Sequence, residues 1–501
     1  MIGTPRSLKS LLGRATGIRW NGTTADDLPD VEIRGITANS RDVQPGDLFV
    51  AIAGSRMDGH AFVPDAASRG AAAVIVERDL PDVPPVPSVR VVDTRRALAE
   101  LAAAWHDDPA SSLRLVGITG TLGKTSTLMM LAAILERSGH RIGTIGSLGI
   151  QARGLARGTG HTVPGPLALH AGLADIAAAG CEIAAMEVTS HALDQERLHG
   201  LRYEMGIFTN LVPMEHADYH GSFREYVAVK CRYFDLLEAG APLVYAFDDL
   251  LVRAVVGDRA VTPIGCGEEP GSAVRIEPIE IAAASTRFVL SIEDSLPLLD
   301  GGLVQPQRVE IMLPLLGRPN VTNAALAATA ALCLGAPPAA AIDALGSFMP
   351  SRRRMEIVHR GSFTVLDDTI GHPDSLSAVF EVAKMLAPRG LHIVLGIRGS
   401  RGAQINHLLG QTLAIWLRQL PGTTLVISRS DDVADERNRV EDAEAEAFRA
   451  PLEHAGIPFV EHERLDDAVR LVVERAGADD LILLLGAQGM DEGRAILRRL
   501  F

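Results

Sequence analysis

The sequence predicts an α/β protein of three domains, and three observations support that fold class. The 501 residues exceed what one hydrophobic core usually organises. Apolar segments of strand length alternate with segments of helical periodicity, which is typical of parallel sheets covered by helices. Breaks in this alternation fall near residues 112 and 350. The predicted domains are therefore residues 1–111, 112–349 and 350–501.

The first region predicts a small α/β N-terminal domain. Residues 1–20 have the spacing of an amphipathic helix and lack the long apolar core of a signal peptide. Strands are expected in VEIRGIT, PGDLFVAIAG and AVIVE, with a helix in PDAASRGAAA between the last two. A helix in RRALAELAAAWHDD completes the domain, and Pro109 ends the pattern.

The second region predicts a central domain with a mostly parallel sheet. Buried strands are expected in LRLVGIT, CEIAAMEVTS, YEMGIFTNL and APLVYAF. Residues 275–315 hold shorter alternating strands, which we expect to form a β-appendage. The helix in NVTNAALAATAALCLG is expected to end at Gly335, because Pro337 and Pro338 follow directly.

The third region predicts a Rossmann-like C-terminal domain. Its strands are expected in SFTVLDD, HIVLGIR, TLVISRS and DLILLLGA, separated by helices. The segment 441–455 has acidic residues at helical spacing, which indicates a solvated helix face.

Composition excludes several classes of function. There are 48 basic and 62 acidic residues, a net charge of −14, so general binding to nucleic acid is not expected. Four cysteines without a CxxC pair indicate a reducing compartment and no metal cluster. No apolar run approaches the length of a membrane span. We expect a cytoplasmic protein with no membrane partner.

The stretch GITGTLGKTST, residues 117–127, lies between a predicted strand and a predicted helix. Ile118 stands where a Walker loop has its first glycine. A glycine-rich turn that opens a helix directs backbone N–H groups at an anion. Lys124 would add a cation for phosphates, and Thr125 a hydroxyl for Mg²⁺. These features predict a P-loop ATPase domain; a capped helix with an exposed lysine is the alternative.

Acidic and basic side chains follow the next strands of the predicted sheet. Glu187 lies at the end of CEIAAMEVTS, where a carboxylate is well placed to hold Mg²⁺ beside a phosphate loop. A cluster follows YEMGIFTNL: Glu215, His216, Asp218 and His220. Lys230 lies within the apolar stretch YVAVKCRYF, where burial of its charge is costly. Spacing alone favours a lysine that snorkels to the surface.

Taken together, these stretches resemble the Mur ligase family, and within it the UDP-N-acetylmuramoyl-tripeptide synthetases. The ordered motifs run along nearly the whole chain: ITANSRDVQPGDLFVAIAGS, GITGTLGKTS, AMEVTSHALDQERLHG, TNLVPMEHADYHG, YVAVKCRYF, GRPNVTNAALA, RRRMEIV and DDTIGHPDSL. The family's loop has the form GTxGK[TS][TS], which accounts for the missing Walker glycine. The resemblance implies an ATP-dependent, ADP-forming amide ligase of peptidoglycan synthesis.

The resemblance also implies the site residues. Those at ATP would be Gly120, Thr121, Gly123, Lys124, Thr125, Ser126, Asn320, Asn323, Arg354 and Asp368. Two Mg²⁺ ions would be held by Thr125, Glu187, His216 and Lys230, with Lys230 carbamylated by CO₂. Catalysis would rest on Lys124, Glu187, His216 and Lys230. The muramoyl-peptide substrate would contact Ser40, Thr162, Ser190 and Arg197. Carbamylation would turn a costly buried ammonium into an anion.

The implied reaction joins an amino acid to UDP-MurNAc-dipeptide through an acyl phosphate, in a monomer. Three alternatives stay open: a related ligase that acts on another carboxylate in a specialised pathway, a nucleotide-binding pseudoenzyme, and a folate-type polyglutamate ligase. The third shares the ATPase core but not the PGDLF-type first domain.

Seven stretches depart from the family's pattern, among them TNLVPMEHADYHG, which is one residue longer than usual before His216, and residues 368–374, where the histidine is shifted by one. Leu122 replaces an asparagine of the loop, and residues 162–165 read TVPG instead of TTPE. In the last domain, residues 399–403, 428–432 and 486–492 replace the GGDRD, DNPR and GKGHE motifs. Because the family builds its amino-acid pocket from these last three, we expect a rebuilt pocket that takes neither diaminopimelate nor lysine.

Overall fold

The computed structural model describes residues 4–15, 29–54, 57–80, 85–213, 220–257, 259–282, 285–349, 352–400, 402–436 and 438–500. It confirms the α/β class, with parallel sheets in the N-terminal, central and C-terminal regions. By contacts the chain forms two compact units. One holds residues 1–275, 292–306 and 326–341; the other holds 276–291, 307–325 and 342–501. The three predicted domain ranges stay predictions.

The N-terminal region has a parallel sheet in the order β3-β4-β5-β6, and β1 pairs antiparallel with β2. Its core packs Leu8, Leu11 and Leu12 of α1 against the sheet and α3. The strands are β1 Arg6–Ser7, β2 Glu32–Ile33, β3 Gly35–Thr37, β4 Asp47–Val50, β5 Ala73–Val76 and β6 Ser88–Arg90. The helices are α1 Leu8–Arg14, α2 Val63–Ser68 and α3 Thr94–Trp105.

The central sheet has the order β10-β9-β8-β11-β7-β12-β13-β14-β15-β16-β19. It is parallel from β8 to β15, and β11 and β7 are almost wholly buried because helices cover both faces. The first strands are β7 Arg114–Thr119, β8 Ile142–Gly146, β9 Gly149–Ala152, β10 Leu155–Arg157, β11 Ile183–Val188, β12 Met205–Phe208, β13 Pro242–Ala246 and β14 Thr262–Gly267. The helices between them are α4 Lys124–Arg137, α5 Pro166–Ala178, α6 Ser190–Asp194, α7 Phe223–Cys231 and α8 Leu250–Val256.

The expected β-appendage over residues 275–315 is corrected by the structure. Its longer strands continue the central sheet, because Val274 and Arg275 pair in parallel with Cys266 and Gly267. Within the described part of this region, only a short hairpin stands apart as its own sheet. The strands are β15 Val274–Ile281, β16 Thr286–Ile292 and β19 Gln307–Leu313, with β17 Leu296–Pro297 and β18 Leu303–Val304 in the hairpin.

The next helix ends as the sequence predicts. Helices α9 Arg318–Cys333 and α10 Pro338–Gly346 are separated by Gly335, whose φ is +93°. The N–H of Ala336 closes the end of α9 by donating to the carbonyl of Ala331 at 2.9 Å.

The C-terminal sheet has the order β20-β21-β25-β22-β23-β24 and is parallel apart from β20. The parallel strands end at one edge, which therefore gathers the segments 368–372, 397–400, 429–432 and 486–491. The strands are β20 Glu356–Arg360, β21 Thr364–Asp368, β22 Leu391–Gly396, β23 Thr424–Ser428, β24 Val460–His462 and β25 Leu481–Leu485. The helices are α11 Pro373–Leu386, α12 Ala403–Gln419, α13 Asp442–His454, α14 Leu465–Arg475 and α15 Gly493–Leu500.

Among the residues that the structure describes, no helix is long and apolar enough to cross a membrane.

Candidate active site

The predicted phosphate loop connects the end of β7 to the start of α4. Gly120 has a φ of +141°, and a Cβ placed there would lie 2.0 Å from Thr209 Oγ1, so only glycine fits. Gly123 has a φ of +82° and stands before the first residue of α4, without a side-chain cap. The loop therefore brings Thr121, Lys124 and the first backbone N–H groups of a helix to one place, the arrangement that binds phosphate.

Lys124 folds over this loop. Its Nζ donates to the carbonyl oxygens of Gly120 at 2.9 Å and Thr121 at 2.8 Å. Both acceptors are neutral, so phosphate oxygens would be stronger partners for the same ammonium group. The lysine is thus held at the loop and can turn to an anion there.

Hydrogen bonds from Asn210 and Thr209, two residues that the sequence motifs do not indicate, hold the phosphate loop in place. Asn210 accepts from the Leu122 N–H at 2.8 Å and donates to the Leu122 carbonyl at 3.0 Å. Thr209 Oγ1 donates to the same carbonyl at 2.6 Å. Thr121 Oγ1 lies 3.0 Å from the hydroxyl of Tyr226. Backbone contacts fix the loop at position 122, so a leucine side chain is compatible with its shape.

Glu187 lies at the end of β11, beside the loop, and is 1% exposed. Its Oε1 accepts from Thr125 Oγ1 at 2.9 Å and from the Ser147 N–H at 2.8 Å. The structure therefore brings together two of the predicted metal ligands, an ionisable carboxylate and a hydroxyl. Both are oxygen donors of the kind that Mg²⁺ prefers.

Lys230 is buried, with 1% of its surface exposed. Its Nζ lies 3.5 Å from Thr119 Oγ1 and 5.2 Å from the centre of the Tyr226 ring. The snorkelling interpretation is therefore wrong: α7 directs this side chain at the last residue of β7, directly before the phosphate loop. Packing of α7 on the sheet decides this direction, and helical spacing does not reveal it.

His216, the fourth predicted metal ligand, lies outside the described residues. Within the described part of the chain, no three His, Cys, Asp or Glu side chains form a metal-binding group. The predicted set differs from such a group because it uses a threonine hydroxyl and a modified lysine.

The predicted substrate residues Thr162 and Arg197 meet at one loop. Thr162 Oγ1 lies 3.1 Å from Ser147 Oγ. Arg197 Nη1 donates to the carbonyl of Val163 at 2.5 Å. A continuous line of contacts therefore runs from Thr125 through Glu187 and Ser147 to Thr162. Ser147, which the sequence does not predict as a site residue, directly follows β8 and so lies beside the end of β11.

Two other predicted substrate residues lie at strand ends. Ser190 is 2% exposed and begins α6, which Thr189 Oγ1 caps by accepting from the Ala192 N–H at 3.2 Å. Ser40 is buried and begins the short 3-10 helix Ser40–Asp42 after β3. Both positions follow the carboxyl end of a parallel strand, where ligands bind in α/β sheets.

The remaining predicted ATP residues lie in the second compact unit. Asn320 and Asn323 are buried in the first turns of α9, and Asn320 Nδ2 donates to the Leu316 carbonyl at 2.9 Å. Asp368 accepts from the Met355 N–H at 2.7 Å, and burial raises the pKa of its carboxyl to about 6.

Two neighbouring arginines of this unit have different surroundings. Arg353 is buried, with a φ of +59°, and pairs with Asp367 at 3.1 Å and with Asp491. Arg354, the predicted phosphate ligand, has an exposed side chain. The first arginine stabilises the domain, and the second is available to a ligand.

Three family profiles match the chain. They are the "Mur ligase family, catalytic domain" over residues 32–106, the "Mur ligase middle domain" over 118–331, and the "Mur ligase, glutamate ligase domain" over 353–488.

Similar proteins span almost the whole chain. The UDP-N-acetylmuramoyl-L-alanyl-D-glutamate–2,6-diaminopimelate ligase of Xanthomonas campestris pv. campestris is 33% identical over 471 residues, which cover 91% of this chain and 89% of that protein. The ligase of the same name from Geobacillus thermodenitrificans is 32% identical over 486 residues, with 96% and 94% covered. The crystal structure of MurF from Acinetobacter baumannii, at 20% identity, shares the fold with a TM-score of 0.65 over 100% of this chain and 99% of that one.

Proposed function

This chain belongs to the Mur ligase family of ATP-dependent amide ligases, and we propose that it joins an amino acid to UDP-MurNAc-dipeptide in peptidoglycan precursor synthesis. The observation that supports this most is the line of contacts Thr125–Glu187–Ser147–Thr162, because it connects the phosphate loop to the loop of the carboxylate substrate. The relatives are named as ligases of 2,6-diaminopimelate and UDP-N-acetylmuramoyl-L-alanyl-D-glutamate, which supports the carboxylate substrate proposed here. We expect the reaction to take place in the cytoplasm.

The proposed reaction has two steps. A carboxylate oxygen of the substrate attacks the γ-phosphorus of ATP, and the bond to ADP breaks, which gives an acyl phosphate. The amine then attacks the acyl carbon, an amide forms, and phosphate and a proton leave. Lys124 and the loop N–H groups stabilise the charge that develops on the transferring phosphoryl group.

The residues at the loop fit the binding of Mg²⁺. Glu187 and Thr125 present oxygen atoms 2.9 Å apart, and His216 and a carbamylated Lys230 would complete the set. Bound Mg²⁺ would neutralise phosphate charge. The burial of Lys230 supports the carbamate, because burying an ammonium group at 1% exposure is costly and its carbamate is an anion that can bind metal.

We further propose that Ser40, Ser190 and Arg197 hold the nucleotide-linked substrate together with Thr162. Asn320, Asn323, Arg354 and Asp368 are proposed to bind ATP. The exposed side chain of Arg354 supports this role, since its buried neighbour is already occupied by carboxylates.

A ligase that acts on another carboxylate is the second candidate. The observation in its favour is Val163, which offers Arg197 only a backbone carbonyl where the family's loop carries a threonine. A change at this loop alters what the substrate meets and leaves the phosphate loop as it is.

Phosphate release tests the proposal. The protein is incubated with ATP, Mg²⁺ and UDP-MurNAc-dipeptide, and each amino acid is added in turn. We expect release that requires all three components and one amino acid, with the peptide product seen by mass spectrometry. ATP binding without release for any amino acid would reject the cell-wall substrate and favour the second candidate.

A further inference from the structure

The end of the short helix α6 has an unusual residue. Glu196 has a φ of +54°, a left-handed conformation that glycine adopts without strain and glutamate does not. Its N–H donates to the Leu193 carbonyl at 3.2 Å, and the Arg197 N–H donates to the Ala192 carbonyl at 2.9 Å. This is the helix end at which glycine is the common residue. A glutamate there indicates a function for its side chain.

The Glu196 carboxylate lies among basic side chains from separate elements. Its Oε1 accepts from Arg96 Nη2 at 3.2 Å, and Arg232 Nη1 lies 3.8 Å from the same oxygen. His199 Nδ1 lies 3.8 Å from Oε2. Arg96 belongs to α3, and Arg232 follows α7 directly. The carboxylate therefore joins the end of α6 to two other helices.

Arg197 follows Glu196 directly and reaches the loop of the carboxylate substrate. Its Nη1 donates to the Val163 carbonyl at 2.5 Å, and its Nε and Nη2 donate to Gln195 Oε1 at 3.0 and 2.7 Å. The direction in which Arg197 leaves the helix depends on the backbone angles of Glu196, because the two residues are adjacent.

We propose that Glu196 is a positioning residue, whose ion pairs with Arg96 and Arg232 hold the left-handed turn that aims Arg197 at the carboxylate substrate. The inference rests on the proposed function, in which Arg197 binds that substrate. The side chains of Glu196, Arg96 and Arg232 line a cavity of about 890 Å³, so water reaches the ion pairs and weakens them. We therefore expect a moderate effect on substrate affinity rather than loss of activity.

Two substitutions separate the carboxylate from the backbone conformation. Glu196→Gly permits the left-handed turn without strain but removes the ion pairs that hold it, and Glu196→Gln keeps the side chain but removes its charge. In both we expect the KM for UDP-MurNAc-dipeptide to rise about fivefold, while kcat and the KM for ATP stay within about twofold. Arg96→Gln should reproduce the effect, and combining it with Glu196→Gln should add little.

A matched control is Asp479→Gly, which removes an acidic side chain from an exposed residue with a φ of +66°. It should leave all three kinetic constants unchanged.

Hydrogen–deuterium exchange provides a readout that needs no substrate. Amides of residues 162–169 and 195–199 should exchange faster in Glu196→Gly than in the wild type, and this holds even if the wild type does not use UDP-MurNAc-dipeptide. Absence of turnover by the wild type would reject the proposed function alone. Unchanged exchange in both Glu196 variants, or an equal rise in the KM for ATP, would overturn the positioning role.

Discussion

The phosphate loop and the strand-end edge of the C-terminal sheet both collect charged side chains, but they use them differently. At the loop, Lys124 contacts neutral carbonyl oxygens that phosphate can replace. At the C-terminal edge, Arg353 pairs with Asp367, and Arg429 pairs with Asp442 at 2.8 Å. Lys124 in the first region is therefore available to a ligand, whereas Arg353 and Arg429 in the second region are paired with carboxylates of the protein.

Under the proposed function, the two regions would have different roles. The phosphate loop can serve any substrate that ATP activates, since Lys124 and the loop N–H groups are placed to bind phosphate. Internal hydrogen bonds shape the C-terminal edge. The Glu444 carboxylate, for example, accepts from the N–H groups of Ser400 and Gly402 at 3.1 and 2.7 Å. We infer that shape and backbone groups, more than the paired arginines, select the incoming amine.

Loss of the loop cation should have the largest effect. Lys124→Ala is expected to lower kcat by about 10³-fold, because the developing phosphoryl charge loses its nearest cation. Amide formation measured by phosphate release checks this, with Lys384→Ala as a control at an exposed lysine. A rate within tenfold of the wild type would contradict the role given to the loop.

Loss of the buried lysine should have the next largest effect. Lys230→Ala is expected to lower activity by about 10²-fold or more, because a proposed metal ligand is removed. Short-chain carboxylates should restore part of the activity by replacing the carbamate. The same carboxylates should not restore Lys124→Ala. An unchanged rate in Lys230→Ala would exclude the carbamate.

A pair of smaller changes sharpens the comparison. Asn210→Ala leaves the Leu122 N–H and carbonyl without the amide that now contacts both, so the KM for ATP should rise about tenfold. Glu444→Gln should instead raise the KM for the amino acid a few-fold, because it weakens the hydrogen bonds that hold Ser400 and Gly402. Steady-state kinetics with each substrate varied measures both, and effects on the same substrate would contradict the division.

The smallest expected effect is a difference in pH dependence. Burial lowers the pKa of His170 to about 4, so its contribution to stability is lost as the pH falls below about 6.5. Burial raises the pKa of Asp368 to about 6, so its contribution is present near pH 4 and is lost as the pH rises through 6.

Each contribution is on the order of 1–3 kcal/mol. Chemical denaturation between pH 4 and 7 measures it: His170→Phe should remove the slope that His170 causes, and Asp368→Asn should reduce the opposite slope, to which Asp367 also contributes because burial raises its carboxyl pKa to about 6. Variants with the slope of the wild type would refute the assignment.

Sequence predicts the local part of the site and misses the long-range part. Lys124 and Thr125 could be predicted as candidates because a strand, a glycine turn and a helix are contiguous signals, and Glu187 because it ends a predicted buried strand. Asn210 and Ser147 could not, since each meets its partner only when neighbouring parallel strands end side by side.

The acidic helix shows the same limit. The segment 441–455 was expected to present a solvated face, yet Glu444 within it is 3% exposed. Its carboxylate faces the loop after β22, a tertiary contact that composition and spacing do not contain. The fold class, in contrast, follows from alternation of strands and helices and was predicted correctly.

The measurement that tests the central claim most directly follows the oxygen of the substrate carboxylate. UDP-MurNAc-dipeptide labelled with ¹⁸O in that carboxylate is incubated with ATP, Mg²⁺ and the amino acid that gives the fastest phosphate release. Activation as an acyl phosphate predicts that the released phosphate carries one ¹⁸O atom. Release of unlabelled phosphate while the amide product forms would contradict the account.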